Sequence, residues 1–432
     1  MFLRRLLPVL VVALVLAGAA WWAGARYDAP VNVASRAKAG PRFEMPVGAP
    51  SASTPGAVDY TRLDERIRRL MNDPAMVGLA IAVVEDGQIR FVKGYGETGA
   101  GNGDPVTTST VFRWASLSKG VAADMVALLA GEQRLSLFEP AARYANSLRL
   151  PGGSEANVTI VDILSHRTGL FAHAQDAKLE DGEDPRLLRA ALSSLHDICT
   201  PGTCHAYQNV AYDAASEIVE RVTGTPYPAV VRERLFQPLG MSRASIGRAE
   251  LLAAPSWARG HAGGKNSQPV EVTDSYYRVP AAGGVNGSIE DLAIWMLAQM
   301  GAAPDVLSRE VLAEVQSPRV NTPGETRRRR LFTERTPTSA YGLGWRVFDY
   351  AGHRVVGHHG GVRGYRSMIL FDPARRSGIV ALWNSSTNAP AGLEYEVMDM
   401  VYRLPSRDWL QIDTPGQMAA PAERPDNEGG SA

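Results

Sequence analysis

The stretch Phe112-Arg113-Trp114-Ala115-Ser116-Leu117-Ser118-Lys119-Gly120 runs directly into an apolar segment, Val121 to Leu129. Ala122, Val126, Ala127 and Leu129 recur at helical spacing, which reads as a buried helix. A helix starting at or near Ser116 sets Ser116 and Lys119 one turn apart on the same face, with hydroxyl and amine within hydrogen-bond reach. Serine is a poor nucleophile until a base takes its proton. Lysine can be that base once burial, a helix N-terminus or a second cation disfavours its charged form. The same helix start leaves the Ser116 N–H available to an oxyanion.

Spacing alone carries little, because a helix N-cap followed by a solvated lysine has the same pattern. Ser35-Arg36-Ala37-Lys38 repeats it, but Gly40 and Pro41 follow at once and no apolar helix is present. The Ser116 copy has a β-rich approach, Thr107 to Phe112, and a long apolar helix behind it. Among 45 basic residues only five are lysines, at 38, 93, 119, 178 and 265. Arginine cannot give up its proton in a protein, so a lysine here in an arginine-rich chain points to proton chemistry.

With 432 residues, 45% of them hydrophobic and 21% charged, the chain can bury a large core as one domain or two interleaved lobes. Its formal net charge of zero gives no argument for a nucleic-acid partner. Arg4 and Arg5 precede an uncharged run, Leu6 to Ala25, which fits a secretory signal or a single membrane anchor within residues 1–26. The run is long for a signal, which favours an anchor. Either way the remainder is expected outside the cytoplasm, periplasmic or secreted, with possible inner-membrane association through this segment. Residues 27–58 are rich in Ala, Pro, Ser and Gly and read as a flexible tether. Residues 405–432 read as a disordered tail.

Between them, 59–404 reads as one domain. Leu63, Ile67, Leu70 and Met71 form a helix stripe; Val77 to Glu85 and Ile89 to Tyr95 form a hairpin around Asp86-Gly87. After the Ser116 helix, about 136–275 is mostly helical. Then come a helix over Ile289 to Met300, strands over Tyr341 to Val347, His353 to Val356, Tyr365 to Phe371 and Ile379 to Trp383, and a closing helix near Leu393 to Tyr402. This order predicts an α+β sandwich: an antiparallel sheet joining first and last strands, flanked by helices, with an inserted all-helical lobe and a cleft between.

Two further groups could complete a site. Tyr207-Gln208-Asn209 offers a phenol for proton transfer and an amide to hold a carbonyl. Tyr144-Ala145-Asn146 has the same chemistry, and local sequence does not choose between them. His358-His359-Gly360-Gly361 follows an apolar strand, where glycines let a substrate approach and an imidazole can bind a carboxylate or pass a proton. His261-Ala262-Gly263 is a weaker copy in a loop. No H-E-x-x-H occurs and the other histidines are scattered, so no metal or other cofactor is expected. No G-x-S-x-G occurs, which argues against an α/β-hydrolase.

Together, Ser116/Lys119, Tyr207/Asn209 and His358/Gly360 resemble the S-x-x-K, Y-x-N and K-T-G or H-x-G elements of the serine penicillin-recognising family, in its class C β-lactamase and DD-peptidase branch. Ile163 to Leu170, Gly283-Gly284 with Asp291-Leu292-Ala293, and Tyr341-Gly342-Leu343-Gly344-Trp345 are similar to that family too, and the resemblance covers about 59–403. It implies that Ser116 is acylated, that Lys119 and Tyr207 share proton transfer, and that Asn209 orients the scissile group. It places the oxyanion between the N–H groups of Ser116 and Gly361. His358, standing for the lysine of K-T-G, replaces an assured cation with a group half protonated near pH 6.5. Peptide or amide substrates of cell-wall type are then expected first, small esters second and β-lactams third. The rival is a non-catalytic relative that binds peptidoglycan or a partner. Cys199 and Cys204 could close a disulfide loop beside Tyr207 in an oxidising compartment, with two free thiols as the alternative. Arg327 to Arg330 read as a solvated insertion.

Overall fold

β1 (Gly78–Glu85) is buried along its whole length, and its residues divide by parity. Ala80, Ala82 and Val84 enter one apolar core, while Leu79, Ile81 and Val83 enter another. Successive strand side chains point to opposite faces, so a strand that is apolar at every position must lie between two packed layers. The computed structural model describes residues 56–413. The 1–26 segment, nearly all of the 27–58 tether and the Ser35/Lys38 pair lie outside them.

β2 (Gln88–Gly96) pairs with β1 through the expected hairpin. β3 (Phe112–Arg113) leads to α2 (Ser118–Gly131), which follows α1 (Tyr60–Leu70) in the chain. The helical lobe holds α3 (Ile160–Leu164), α4 (Asp176–Glu180), α5 (Pro185–Ala191) and α6 (Ala214–Thr223), then β4 (Ser245–Ile246). β5 (Val285–Gly287) and α7 (Ile289–Gln299) follow, the helix opened by a Ser288/Asp291 capping box. Beyond them come β6 (Val320–Asn321), β7 (Ser339–Tyr341), β8 (Arg346–Tyr350), β9 (His353–Val362), β10 (Tyr365–Asp372), β11 (Ser377–Trp383) and α8 (Leu393–Val401).

The main sheet has eight antiparallel strands in the order β2-β1-β11-β10-β9-β8-β7-β6, and a small sheet orders β3-β5-β4. β1 pairs directly with β11, Leu79 opposite Trp383, which joins the two ends of the domain as expected. The larger core binds one sheet face to α2, α7 and the helical lobe; α1 and α8 cover the other.

Four readings are corrected. The strand expected over Tyr341 to Val347 is two strands, because Gly342 to Trp345 turn between β7 and β8. The strand expected over His353 to Val356 continues to Val362. In the approach to Ser116 only Phe112 and Arg113 are strand, while Thr107 N–H donates to the Thr110 hydroxyl at 2.9 Å in a turn. Residues 405–413, read as part of a disordered tail, are packed: Trp409 and Leu410 are buried in the second core, and Asp408 takes Arg66 at 2.6 Å.

Candidate active site

Ser116 sits in a 3-10 turn, Ala115–Leu117, and the α-helix begins only at Ser118, so Lys119 is its second residue. Ala115 has φ +49°, a left-handed conformation that costs a non-glycine residue about 1 kcal/mol or more. The surroundings hold it there. Trp114 N–H donates to Val285 O at 2.9 Å, and the Ser367 hydroxyl donates to Trp114 O at 2.7 Å. The Ser118 hydroxyl donates to Ala115 O at 2.6 Å and accepts from Val285 N–H at 3.0 Å. Gly360 of β9 lies against this turn: a β-carbon on it would stand 2.4 Å from Trp114 O and 3.1 Å from Ser116 N.

Lys119 is fully buried. Its Nζ lies 3.4 Å from Ser116 Oγ, donates to Asn209 Oδ1 at 2.6 Å and to Ala282 O at 2.9 Å. It also stands 4.6 Å from the centre of the Tyr207 ring. Asn209 Nδ2 donates to Asp176 Oδ2 at 2.7 Å, which fixes the orientation of the amide. Asp176 also bonds His173 Nδ1 at 2.8 Å. Ala282 O is positioned from behind, because Ala281 N–H donates to Asp213 at 2.9 Å and Arg189 holds that carboxylate. The amine is thus presented to the serine by groups from four separate segments.

His358 is locked by a chain of hydrogen bonds. Gln208 N–H donates to His166 Nδ1 at 3.1 Å, so the proton of His166 is on Nε2, which donates to the Tyr341 hydroxyl at 3.2 Å. That hydroxyl donates to His358 Nε2 at 2.9 Å, and Arg346 Nη1 donates to the same nitrogen at 3.0 Å. His358 Nδ1–H donates to His359 O at 2.7 Å. Nε2 is therefore an acceptor and the ring is neutral. Burial first, then the charge of Arg346, holds His358 well below the usual histidine range; burial does the same for His166. The expected half-protonated imidazole is corrected on this point: the cation at this end of the cleft is Arg346, whose guanidinium lies 5.5 Å from the Tyr207 ring centre.

Ser116, Lys119, Tyr207, Asn209, His358 and Gly360 are thus gathered around one centre, with Tyr207 and His358 rings 6.2 Å apart. Gly361 follows in the ladder, opposite Arg366 of β10. Cys199 and Cys204 are joined by a disulfide. Its loop is tied to the site, since Gly202 N–H donates to Arg167 O at 2.7 Å and Ala206 N–H to His166 O at 2.9 Å. The alternative groups lie elsewhere. Asn146 is exposed, and Tyr144 bonds Glu139 at 2.5 Å. His261 is buried, bonding Ser267 O at 2.8 Å and Ala100 N–H at 3.2 Å. Arg329, read as solvated, bonds Glu394 at 3.0 Å. Sequence reasoning missed His166, Tyr341 and Arg346 as site residues, though the first two lie inside the quoted family-like phrases and Arg346 directly follows one. Nothing in the local sequence singles out Asp176. Among the described residues no group of three or more His, Cys, Asp or Glu could hold a metal ion.

A family model described as Beta-lactamase matches residues 63–399. The chain belongs to the beta-lactamase family. It is a serine hydrolase of that family, with the antiparallel sheet and flanking helices of the fold. It is 27% identical over 413 residues to an unguisins hydrolase of Aspergillus violaceofuscus, covering 85% of this chain and 70% of that protein. It is 30% identical over 342 residues to penicillin-binding protein 4 of Amycolatopsis lactamdurans, covering 75% of this chain and 84% of that protein. The octameric penicillin-binding protein homologue from Pyrococcus abyssi has the same fold, with a TM-score of 0.71, 24% identity, and coverage of 80% of this chain and 78% of that one.

Proposed function

We propose that this family member is an exported hydrolase that cleaves amide or ester bonds through an acyl-enzyme on Ser116. The observation that carries the reading is the buried Lys119 amine, 3.4 Å from Ser116 Oγ and stacked over Tyr207. Ser116 Oγ attacks the carbonyl and passes its proton to the neutral amine of Lys119. The Lys119/Tyr207 pair returns a proton to the leaving amine or alcohol. Water then attacks the acyl group, gives up a proton to the same pair, and Ser116 is regenerated. The N–H groups of Ser116 and Gly361 hold the oxyanion, each worth roughly 3 kcal/mol in the transition state. Export is supported by the Arg4-Arg5 and Leu6 to Ala25 pattern and by the disulfide, which persists in oxidising compartments. A fusion reporter active only outside the cytoplasm, joined to the end of the full chain so that the packed 405–413 segment is kept, tests it.

Peptides of cell-wall type are the substrates proposed first, small esters second. Incubation with a fluorophosphonate should leave a covalent adduct that is absent in Ser116→Ala. Lys119→Arg, which keeps the charge but cannot act as base, should slow labelling at least about 100-fold. Full-rate labelling in Lys119→Arg would remove lysine from the mechanism. The absence of any adduct in the parent protein favours the non-catalytic binding relative.

A further inference from the structure

At the β8–β9 end of the cleft the guanidinium beside Tyr207, that of Arg346, already has a carboxylate. Arg346 Nε and Nη2 donate to Glu325 Oε2 and Oε1 at 2.8 and 3.0 Å, a two-bond clasp, while Nη1 is spent on His358. Burial opposes ionisation of Glu325, but the charge and hydrogen bonds of Arg346 outweigh it and bring the carboxyl down to about 2. Arg329 bonds Glu394 of α8 at 3.0 Å, on the sheet face opposite the cleft, and His359, turned to that face by strand alternation from His358, bonds the same residue at 3.0 Å. His358 is neutral, as derived above, and Lys119 is engaged with Asn209 and Ala282. Arg366 is on β10 beside Ser367, and strand alternation sends it to the opposite sheet face from Ser367, which contacts the nucleophile turn. Arg363 is exposed in the turn after β9, five residues beyond His358.

Resting on the hydrolase reading above, we infer that Glu325 and Arg346 form a charge-cancelled wall that selects leaving groups without a free carboxylate: internal peptide bonds, amidated ends or neutral alcohols. A free carboxylate arriving there loses its water and meets a guanidinium whose field is offset about 3 Å away by Glu325. That desolvation has no matching gain. A neutral amide or ester avoids the cost and can still use the cleft's hydrogen-bond donors. Glu325 and Arg346 are specificity-determining residues in this scheme, and neither touches the reacting atoms.

The test compares N-acetyl-D-alanyl-D-lactate, whose scissile bond is an ester, with its terminal carboxamide. Both are assayed by turnover and by protection of Ser116 from the fluorophosphonate, which gives a ratio even where turnover is slow. The full chain should prefer the carboxamide by at least about tenfold. Glu325→Gln, which leaves the guanidinium uncancelled, should shrink that ratio about tenfold, and Arg346→Met, which leaves the anion alone, should enlarge it. Equal or reversed preference in the parent protein overturns the inference, as does a ratio unmoved in a folded Glu325→Gln. Should that variant not fold, the parent ratio and Arg346→Met decide. Labelling of Ser116 with no preference removes this inference alone, whereas no labelling removes the hydrolase reading as well.

Discussion

His358 is a histidine whose partners have settled its charge. Two donors, the Tyr341 hydroxyl and Arg346 Nη1, point at Nε2, so a proton there would face donors with nothing to accept it. The sign follows directly. A histidine held below its unfolded value contributes stability above about pH 6.5, and that stability is lost as pH falls and the unfolded chain takes a proton the folded state refuses. His166 behaves alike, so between pH 6 and 5 the two should together steepen the loss by up to about 1.4 kcal/mol per histidine per pH unit. In nitrogen-15 spectra His358 should keep its neutral, Nδ1–H pattern throughout pH 5.5–7.5, and kcat/KM should have no limb from this ring. A His358 titration midpoint near 6.5 would refute the locked tautomer and, with it, the assignment of the site's cation to Arg346. The residue types of the site were legible once the three elements were taken together as a family resemblance; spacing alone left Tyr207/Asn209 level with Tyr144/Asn146. The charge state was not legible, because it depends on His166 and Tyr341, which come from remote segments and reach His358 only after folding.

At the level of elements, the site depends on β9 lying close against the turn that carries Ser116. Gly360 makes that approach possible: an added β-carbon would stand 2.2 Å from Ser367 Oγ and 2.4 Å from Trp114 O, distances no real β-carbon tolerates. Gly360→Ala must push β9 away from Ser116 or break the Ser367–Trp114 hydrogen bond. The expected cost is about 1–3 kcal/mol of stability from overpacking and a fall in kcat/KM of about 100-fold from misplacing the site by part of an ångström. Paired measurements of unfolding midpoint and kcat/KM check it, and near-parental activity would mean that β9 has room this packing denies. The strands themselves were largely readable from alternating or continuous apolar runs. The β7–β8 break was not, because apolar Tyr341, Leu343 and Trp345 alternate through it as a strand would. The reason for the break is tertiary. Gly344 turns with φ +72° where a β-carbon would come within 2.5 Å of Lys119 O, so the chain bends there to make room for α2, the helix that carries Lys119.

For the molecule as a whole, the open sheet is continuous only because β1 from the start of the domain pairs with β11 from its end, and the same pairing brings the C-terminal segment onto α1 and α8. Arg66 of α1 bonds Glu396 at 2.6 Å, Asp408 at 2.6 Å and Asp413 at 2.6 Å, tying three points of the chain together. Composition reads this tail as disordered because Trp409 and Leu410 stand alone among proline, arginine and aspartate, with no periodic run to mark an element. Their partners are far away in sequence. The Trp409 ring lies 5.4 Å from that of Tyr395 and 5.9 Å from that of Phe332, and its Nε1 donates to Asp399 at 2.8 Å. With only 4% of its surface exposed, Trp409 closes the second core. Trp409→Ala should therefore cost about 3 kcal/mol or more in urea unfolding, from lost burial, the cavity left behind and an Asp399 oxygen deprived of a donor. Because the second core lies on the sheet face opposite Ser116, the rate of fluorophosphonate labelling in the folded variant should stay within about twofold of the parent. A loss of stability below about 0.5 kcal/mol, the range of an ordinary surface substitution, would restore the reading of a free tail; a collapse of labelling with stability intact would mean the two cores are not separate.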